Sequence, residues 1–469
     1  MDRRKFIKTT ATAAAAGFVL PRFGIAQTKS PNSKLNVAFV GVGGIGGMAL
    51  NGMESENIVA LCDLDWNYSV RQIKKYPKAK LFKDYREMLD KMGKDIDAVC
   101  ISTPDHSHFK ITLDSMSAGK HVCVQKPLVH NVWQCRELKK AKEYYPNLKT
   151  QMMNQGHATE QIRMLKEWYD TGVTGGVSEV HVMCSGPRWW QGKGTPYFVK
   201  PSVWPLTKDT PPEGFDFNLW LNQAAEVPFN KTYHPLAWRS FWEFGTGMLG
   251  DWFCHTGDAP VWILDLKAPN KVELIDSKHI GTDPKLFIPD TSIVKWTFPK
   301  TDKRGEVVMY WYDGNRQPLT RPADWDKEVL PSKGMLMIGK DHTISTAERP
   351  NFEPRICNQE FFRDFRKTVK KTIPRVRKNS IYCEWIDAIK GDGPECLGSF
   401  DYASQLTEVA LLGVLAQRFG GVIEWDDKTM SSPNRPELAP FLKEAERAGW
   451  SSQEQRPWEK KSFWQRLFS

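Results

Sequence analysis

Three side chains in this sequence have the types and positions that oxidation of an alcohol requires: Lys126, Asp251 and His255. Such a reaction needs a base for the hydroxyl proton, and histidine, with an unperturbed pKa of about 6.5, suits that task. Asp251 lies four residues before His255, so a helix would place both on one face, where the carboxylate can orient the imidazole. The alternative for this pair is a core histidine capped by its neighbour. Lys126 precedes Pro127 at the end of a predicted buried strand, and its alternative is a solvated lysine at a strand end.

A glycine-rich turn near the N-terminus has the pattern that binds the pyrophosphate of a dinucleotide. It follows an apolar run of strand length, opens a helical pattern, and reads Gly41-Val42-Gly43-Gly44-Ile45-Gly46. In this pattern Gly41 permits the tight turn, Gly43 lets the backbone approach a pyrophosphate, and Gly46 allows close packing of helix on strand. Asp63 ends the next strand about 20 residues later, where a carboxylate accepts the ribose 2′-hydroxyl and repels a 2′-phosphate. We therefore predict NAD rather than NADP; the alternative is a glycine-rich turn in an α/β protein that binds no nucleotide.

The segments that must position these residues alternate between strand and helix over residues 35–153. This alternation predicts a doubly wound α/β domain with a parallel sheet, a Rossmann fold. Ligands of such sheets lie at the carboxyl ends of the strands. Two of those ends, at residues 103–108 and 125–127, carry polar residues suited to chemistry. We interpret His106 and His108 as part of the loop that lines the nicotinamide end of the site.

Beyond residue 153 the alternation stops, and an α+β domain is predicted for residues 154–430. A large, mainly antiparallel open sheet is predicted from strand-like segments at residues 178–183, 272–275, 291–298, 307–312 and 334–338. Helical patterns follow at residues 358–370, 380–389 and 403–416. Residues 431–469 form a C-terminal extension whose last part mixes aromatic and basic residues, either as an amphipathic docking arm or as a frayed tail.

Seven of the 19 tryptophans lie between residues 189 and 252. Tryptophan clusters are more often core than pocket, but these alternate with proline, glycine, asparagine and arginine in segments that look irregular. Large aromatic side chains on loops favour a binding wall, and sugars offer apolar C–H faces that stack on indole rings. The candidate substrate-binding residues are His157, Trp189, Trp190, Tyr233, His234, Trp238, Arg239 and Trp252.

The composition describes a globular protein with no nucleic-acid partner. A chain of 469 residues that is 41% hydrophobic is long enough to bury two cores. The formal net charge is +10, but five Lys or Arg fall within the first 26 residues and no long basic run follows. The nine cysteines include no C-x-x-C pair, and the Asp251 and His255 segment has no third residue at ligand spacing. We therefore expect neither a disulfide framework nor a metal site.

The first 26 residues resemble a twin-arginine signal peptide. Arg3 and Arg4 precede an apolar stretch that ends near Leu20, and a small-x-small cleavage pattern follows at residues 24–26. The apolar stretch is shorter than the ~20 residues that span a bilayer, so we expect no stable membrane anchor. Because the twin-arginine route carries folded proteins, we expect export to the periplasm with the nucleotide already bound.

Taken together, these motifs resemble the Gfo/Idh/MocA family of NAD(P)-dependent sugar and cyclitol oxidoreductases, in a branch with twin-arginine signals. The resemblance covers nearly all of the mature chain. It rests on the glycine turn, on residues 103–108 (TPDHSH), on 125–127 (QKP, where the family usually has Glu-Lys-Pro), and on 247–255 (GMLGDWFCH), 399–402 (SFDY) and 423–426 (IEWD).

The resemblance implies a role for each of the three side chains named first. Lys126 holds the reacting hydroxyl, His255 is the general acid/base, and Asp251 hydrogen-bonds the substrate or His255. It also implies an open-sheet substrate domain and a homo-oligomer, a dimer or a tetramer. The candidate cofactor-binding residues are Gly41, Gly43, Gly44, Ile45, Gly46, Asp63, Thr103, Pro104, His106, His108, Gln125, Lys126 and Asn154.

The resulting hypothesis is a periplasmic, NAD-containing oxidoreductase that acts on a hydroxyl of a sugar, glycoside or cyclitol. Because no free NAD pool is expected outside the cytoplasm, the cofactor would be retained and reset within each cycle. One alternative is an NAD-assisted glycosidase, in which oxidation, elimination and re-reduction leave no net redox change. Another is a non-catalytic sugar-binding protein that contains NAD.

Overall fold

The computed structural model describes residues 33–201, 203–349 and 352–459. The predicted signal segment, residues 1–26, lies outside these ranges, as do residues 460–469 of the predicted C-terminal extension. Within the described ranges, no helix is both long enough and apolar enough to cross a membrane.

The N-terminal part is built on six strands whose apolar side chains are largely buried. The strands are β1 (Asn36–Val40), β2 (Asn57–Cys62), β3 (Lys80–Phe82), β4 (Ala98–Ile101), β5 (His121–Val124) and β6 (Thr150–Met152). They pair in the order β3-β2-β1-β4-β5-β6, and every pair is parallel. The connecting helices are α1 (Gly46–Gly52), α2 (Val70–Lys75), α3 (Tyr85–Met92), α4 (His108–Ser117) and α5 (Val132–Tyr144).

This arrangement confirms the predicted doubly wound α/β domain. The chain order reverses between β1 and β4, which lie side by side in the sheet. In sheets of this type the crevice for ligands opens at the carboxyl ends of the two strands where the order reverses. The glycine turn follows β1 and residues 103–108 follow β4, so both predicted segments border this crevice.

The second sheet has eight strands. They are β7 (Val177–Met183), β8 (Lys271–Lys278), β9 (Thr291–Phe298), β10 (Val307–Tyr312), β11 (Gly334–Gly339), β12 (Thr343–Thr346), β13 (Arg355–Ile356) and β14 (Val422–Glu424). Their order is β13-β12-β11-β7-β10-β9-β8-β14. Only β7 and β10 pair in parallel within the described residues, so the prediction of a mainly antiparallel sheet is confirmed.

Eight further helices follow the first sheet along the chain in the part that the structure describes. They are α6 (Glu160–Asp170), α7 (Phe217–Leu221), α8 (Gly247–Thr256), α9 (Asp258–Ile263), α10 (Gln359–Phe365), α11 (Ile381–Lys390), α12 (Phe400–Phe419) and α13 (Ala439–Leu442). The helix predicted over residues 358–370 ends at Phe365. Helix α8 carries Asp251 and His255.

Helix α12 joins the two sheets. Most of its residues are buried, which explains why its apolar residues show no single stripe. The Thr407 hydroxyl accepts a hydrogen bond from the Leu128 amide of the first domain at 3.2 Å. Two residues on, the Val409 carbonyl accepts from the indole of Trp296 on β9 at 3.0 Å. One helix therefore fixes the position of both domains around the crevice.

Helix α11 completes the core of the first domain, although it lies far along the chain. Its Tyr382, Trp385 and Ile386 pack in one buried cluster with Val37 and Phe39 of β1. The indole of Trp385 also donates a hydrogen bond to the Lys149 carbonyl at 3.1 Å. The outer face of the parallel sheet at β1 is thus covered by a helix from the C-terminal third of the chain.

Candidate active site

A cavity of about 380 Å³ runs between the two domains, from the glycine turn to α8. Its first-domain wall comes from the carboxyl ends of β1, β2, β4 and β5. Its second-domain wall comes from residues 219–239, from α8 and from isolated residues further along the chain. The predicted nucleotide turn and the predicted catalytic residues therefore line one continuous space.

The glycine turn has the backbone that its sequence predicts. Gly41 has a φ of +77°, which favours glycine, and a β-carbon on it would lie 2.7 Å from the Ser102 carbonyl oxygen. A β-carbon on Gly46 would lie 2.1 Å from the carbonyl oxygen of Gly41, so only glycine lets α1 approach the strand. The turn is thus a close-packed cradle that larger residues would distort.

The same turn fits the phosphates and ribose of NAD. The amides of Gly44 and Ile45 make no hydrogen bond within the described residues and stand at the start of α1, where phosphate groups bind. The Asp63 carboxylate accepts from the amides of Val42 at 2.8 Å, Gly43 at 3.2 Å and Asp65 at 3.0 Å. A carboxylate has about four acceptor positions, so Asp63 keeps capacity for ribose hydroxyls. Gly41, Gly43, Gly44, Ile45 and Asp63 all line the cavity; Gly46 lies beneath it.

Lys126 meets Asp251 at the other end of the cavity. The lysine Nζ donates to the Asp251 carbonyl at 2.9 Å and to its Oδ1, while the Tyr197 hydroxyl donates to Oδ2 at 3.0 Å. Burial by itself raises the pKa of Asp251, but the Lys126 and Arg239 cations bring it down to about 2. The carboxylate partner of Lys126 therefore comes from α8. Gln125, the neighbour of Lys126, is buried and donates weakly to the Met153 sulfur.

His255 lies one helical turn after Asp251 and also lines the cavity. It is 4% exposed, and its Nδ1 has no hydrogen-bond partner among the described residues. Burial lowers the pKa of His255 well below its usual value, and the Lys126 and Arg349 cations lower it further. The imidazole is therefore neutral near pH 7 and able to accept a proton.

The structure corrects the placement of two predicted cofactor residues, His106 and His108. Their rings are buried and do not line the cavity. His106 bonds to the carbonyls of Trp220 at 2.8 Å and Phe244 at 3.3 Å, and His108 bonds to those of Thr103 and Pro127. The cause is a single 3-10 turn after Pro104. It directs both rings into the backbone of neighbouring segments, while Thr103, Pro104, Asp105 and Ser107 face the cavity.

The predicted aromatic wall is formed in part. His234, Trp238, Arg239 and Trp252 line the cavity, together with Trp220. Three other candidates do not. The Trp189 indole bonds to Asp290, Trp190 is 45% exposed and bonds to nearby carbonyls, and Tyr233 is buried in an aromatic cluster.

Two further candidates, His157 and Asn154, lie buried behind the cavity wall. The His157 ring bonds to Asp258 at 2.9 Å and stacks on Tyr402, whose hydroxyl donates to the same carboxylate at 2.6 Å. Asn154 makes no side-chain hydrogen bond within the described residues. Their neighbour Gln155 is the residue of this segment that reaches the cavity.

Sequence reasoning missed several cavity residues that come from irregular or distant segments. Tyr197 bonds to Asp251, Arg349 lies near His255, and Trp450 closes the nucleotide end. No local pattern marks them, because each depends on where a loop of the second domain returns to the crevice. Asp105 lay within a predicted segment but was not singled out; the Thr246 hydroxyl donates to it at 2.8 Å, and burial raises its pKa.

The described residues contain neither a disulfide bond nor a cluster of side chains that could bind a metal ion. The nine cysteines are free and buried. Among the described residues, no group of three or more His, Cys, Asp or Glu side chains is arranged to hold a metal ion.

Comparison with known proteins finds a family model that resembles the first domain. Residues 35–148 match the model described as "Oxidoreductase family, NAD-binding Rossmann fold", GFO_IDH_MocA. The chain is 28% identical over 195 residues to an α-N-acetylgalactosaminidase of Shewanella oneidensis, covering 35% of this chain and 42% of that protein. It is 26% identical over 152 residues to an inositol 2-dehydrogenase of Salmonella paratyphi B, covering 31% and 45%. The chain thus matches less than half of the length of these curated relatives.

Solved structures share the fold over most of the chain. The WlbA dehydrogenase from Bordetella pertussis, in complex with NADH and UDP-GlcNAcA, has a TM-score of 0.55 at 17% identity, covering 84% of this chain and 99% of that one. An NAD-binding protein from Listeria innocua has a TM-score of 0.53 at 14% identity, covering 84% and 97%. At this identity the likeness shows the fold of both domains.

Proposed function

We propose that this chain, whose first domain is an NAD-binding Rossmann domain of the Gfo/Idh/MocA oxidoreductases, oxidises a hydroxyl of a sugar, glycoside or cyclitol. The observation that carries the proposal is the grouping of Lys126, Asp251 and His255 in the cavity that begins at the glycine turn. A hydroxyl-binding cation, its carboxylate partner and a neutral imidazole are the groups that proton removal from an alcohol requires.

Each side chain has one task in this reaction. NAD, when bound, supplies the hydride acceptor. Lys126, held by Asp251, donates a hydrogen bond to the reacting oxygen and stabilises negative charge on it. His255 accepts the hydroxyl proton, since burial keeps its imidazole neutral. Tyr197 fixes the second oxygen of Asp251, so the carboxylate keeps the lysine in place.

Contacts between the domains support a cofactor that stays bound between reactions. His234 of the second domain bonds to Asp65, two residues beyond the ribose-binding Asp63, at 2.9 Å. Lys83 donates to the Gly214 carbonyl across the same edge, and Trp450 and Trp220 close the nucleotide end. A protein exported through the twin-arginine route meets no free NAD pool, so retention would let it work in the periplasm. If the cofactor stays bound, each reaction cycle has to return it to its starting oxidation state. The proposal therefore favours reactions without net redox change.

A second candidate, an NAD-assisted glycosidase, is favoured by the likeness to the Shewanella oneidensis α-N-acetylgalactosaminidase. In that reaction class, oxidation of one hydroxyl acidifies a neighbouring C–H bond, and elimination expels the aglycone and leaves a double bond. Water then adds across that double bond, and return of the hydride to the carbonyl restores the sugar. The same Lys126 and His255 would serve its first step. The two candidates differ in product, because only the glycosidase releases an aglycone without net formation of NADH.

The first test measures NAD(H) per chain after purification without added nucleotide and denaturation. We expect close to one NAD(H) per chain in the wild type and in His255→Ala, with turnover of sugars or glycosides lost only in the variant. His342→Ala is the matched control, because His342 stacks on Phe361 outside the cavity wall. Unchanged turnover in His255→Ala would contradict the proposed chemistry and favour a non-catalytic binding protein. Absence of NAD, with no binding when NAD is added, would contradict retention.

A further inference from the structure

Two arginines at the reacting end of the cavity carry guanidinium groups that are not bonded to any carboxylate among the described residues. Arg239 and Arg349 both line the cavity, and neither forms an ion pair within the described residues. Buried or half-buried guanidinium groups are normally matched by a carboxylate or another oxyanion. Their unmatched charge beside the catalytic residues is the feature that requires explanation.

Arg239 is held rigidly in place. Its guanidinium carbon lies 4.1 Å from the ring centroid of Trp238 and 4.3 Å from that of Tyr197, so the group is sandwiched between two aromatic faces. One nitrogen donates to the Leu236 carbonyl at 3.2 Å, which leaves the other N–H groups free. Tyr197 bonds directly to Asp251, so this cation stands one ring away from the catalytic carboxylate.

Arg349 reaches the same region from the second sheet. Its guanidinium carbon lies 5.4 Å from the Trp252 ring, and its charge helps to lower the pKa of His255. Its Nε is buried without a hydrogen-bond partner among the described residues. A buried donor without an acceptor is costly unless a ligand supplies one.

The charges at this end of the cavity do not balance. Lys126, Arg239 and Arg349 are cations, whereas Asp251 is already engaged by Lys126 and Tyr197. Asp105 is the other acid on this wall, and burial raises its pKa. The phosphates of NAD are expected at the other end, on the free amides of the glycine turn.

We infer that the substrate carries a carboxylate, so that the sugar is a uronic acid or a glycoside of one, and that Arg239 and Arg349 bind that carboxylate. This inference rests on the proposed function and names its substrate class. A carboxylate is planar and accepts paired N–H groups from guanidinium, which an ammonium cannot offer in the same geometry. Trp252 contacts both Arg349 and His255 and lines the cavity, so the binding site for the carboxylate adjoins the catalytic histidine.

The test compares matched sugars on the NAD-loaded protein by calorimetry and by absorbance of NADH. The pairs are D-glucuronate with D-glucose and D-galacturonate with D-galactose, each also as the methyl glycoside. We expect the wild type to bind the acid at least about tenfold more tightly, since a site built for a group rejects the analogue that lacks it. Raising the salt concentration should reduce this preference.

Substitutions at the two arginines test whether these side chains cause the preference for the acidic sugar. Arg349→Gln and Arg239→Gln should each remove most of the preference for the acid, measured as the ratio of the dissociation constants of the acid and the neutral sugar. Arg349→Lys should restore only part of it. The matched control is Arg188→Gln, because Arg188 is exposed on the tryptophan-rich loop and does not line the cavity. A sugar phosphate and a sugar sulfate of the same hexose test whether another oxyanion is preferred.

Several results would overturn the inference. Equal or tighter binding of the neutral sugar would do so, as would a preference for the phosphate or sulfate over the carboxylate. Loss of NAD from Arg239→Gln without a change in sugar preference would assign Arg239 to the cofactor. If neutral sugars are turned over and acids are not, the inference fails while the proposed function stands. If no sugar of either kind binds or reduces NAD, both fail.

Discussion

At the scale of single residues, the environment of His255 predicts how activity depends on pH. Burial lowers the pKa of His255 well below the usual 6.5, with Lys126 and Arg349 acting in the same direction and Asp251 opposing them. A base must be unprotonated, so we expect kcat/KM to stay level as pH falls through 6.5 and to decline only at lower pH. A pH–rate profile checks this. A midpoint at or above 6.5 would show that the imidazole is not desolvated.

The same shift has a consequence for stability. The unfolded chain binds a proton at His255 near pH 6.5, whereas the folded chain does not. Below that pH the unfolded state therefore binds more protons than the folded state. The contribution of His255 to the free energy of unfolding consequently decreases as the pH falls. His255→Gln should remove this contribution, which apparent Tm values at pH 7 and pH 5 would reveal as a smaller loss in the variant than in the wild type.

The contacts of the Asp251 carboxylate predict that substitutions at Asp251 and at Tyr197 destabilise the protein by different amounts. Asp251→Asn leaves the Lys126 ammonium half-buried without its acid and should destabilise the protein by about 3 kcal/mol as well as abolish turnover. Tyr197→Phe removes one hydrogen bond to the same carboxylate and should cost about 1 kcal/mol. Thermal unfolding of both variants measures the difference. Equal losses would mean that the ion pair contributes nothing beyond a neutral hydrogen bond.

The sequence reveals those site residues that follow from local pattern. The spacing of Asp251 and His255 and the strand end at Lys126 made these three residues candidates, and the resemblance to the Gfo/Idh/MocA family assigned their roles. Tyr197 and Arg349 were out of reach, because their position depends on the path of loops that carry no periodic signal. His106 and His108 were misplaced for a related reason: a 3-10 turn of three residues decides which side chains face the cavity.

At the scale of elements, the glycine turn predicts a sharp difference between adjacent glycines of α1. A β-carbon at Gly46 meets the Gly41 carbonyl oxygen, which is backbone and cannot move freely, whereas one at Gly47 meets the mobile end of Gln72. We expect Gly46→Ala to be purified nearly free of NAD and Gly47→Ala to retain it. NAD(H) per chain after denaturation measures both. Full retention in Gly46→Ala would mean that the turn can relax without losing its ligand.

Helix α12 predicts a packing effect at Gly413. A β-carbon there would lie 2.3 Å from the Trp296 ring and 2.9 Å from the Leu249 side chain, both buried. Gly413→Ala should therefore destabilise the protein by about 1–3 kcal/mol. Gly305→Ala is the control, because nothing lies within 4 Å of its added carbon, and it should change stability by less than about 0.5 kcal/mol. An unchanged apparent Tm in Gly413→Ala would show that α12 can shift away from Trp296 and Leu249 at no cost.

The bounds of strands and helices were predicted correctly where a single periodicity of apolar residues dominates the segment. Strands β9 and β10 have the predicted bounds, because buried and exposed residues alternate along them. Helix α12 was predicted shorter than it is, since a helix that is buried on nearly all sides gives no amphipathic stripe to mark its ends. Helix α10 stops at Phe365, five residues before the predicted end at residue 370, and it has no buried residue to hold a longer helix in place.

At the scale of the whole molecule, the contacts across the cavity edge predict how fast NAD leaves. His234→Ala removes the bond to Asp65, one of the direct links between the domains at the nucleotide end. We expect faster loss of NAD during dialysis, with catalysis restored by added NAD. The control is Lys75→Ala, which breaks an exposed ion pair with Glu54 inside the first domain. Equal NAD loss in wild type, variant and control would mean that domain contacts do not govern retention.

Because α11 covers the first sheet, the first domain cannot be exchanged with that of another protein at the boundary near residue 153 without exposing its core. A graft of residues 35–153 onto a foreign substrate domain would leave Val37 and Phe39 bare, because the helix that shields them lies at residues 381–390. Recombination at the obvious boundary would therefore produce an aggregating chimera. A viable exchange must therefore carry α11 along with residues 35–153.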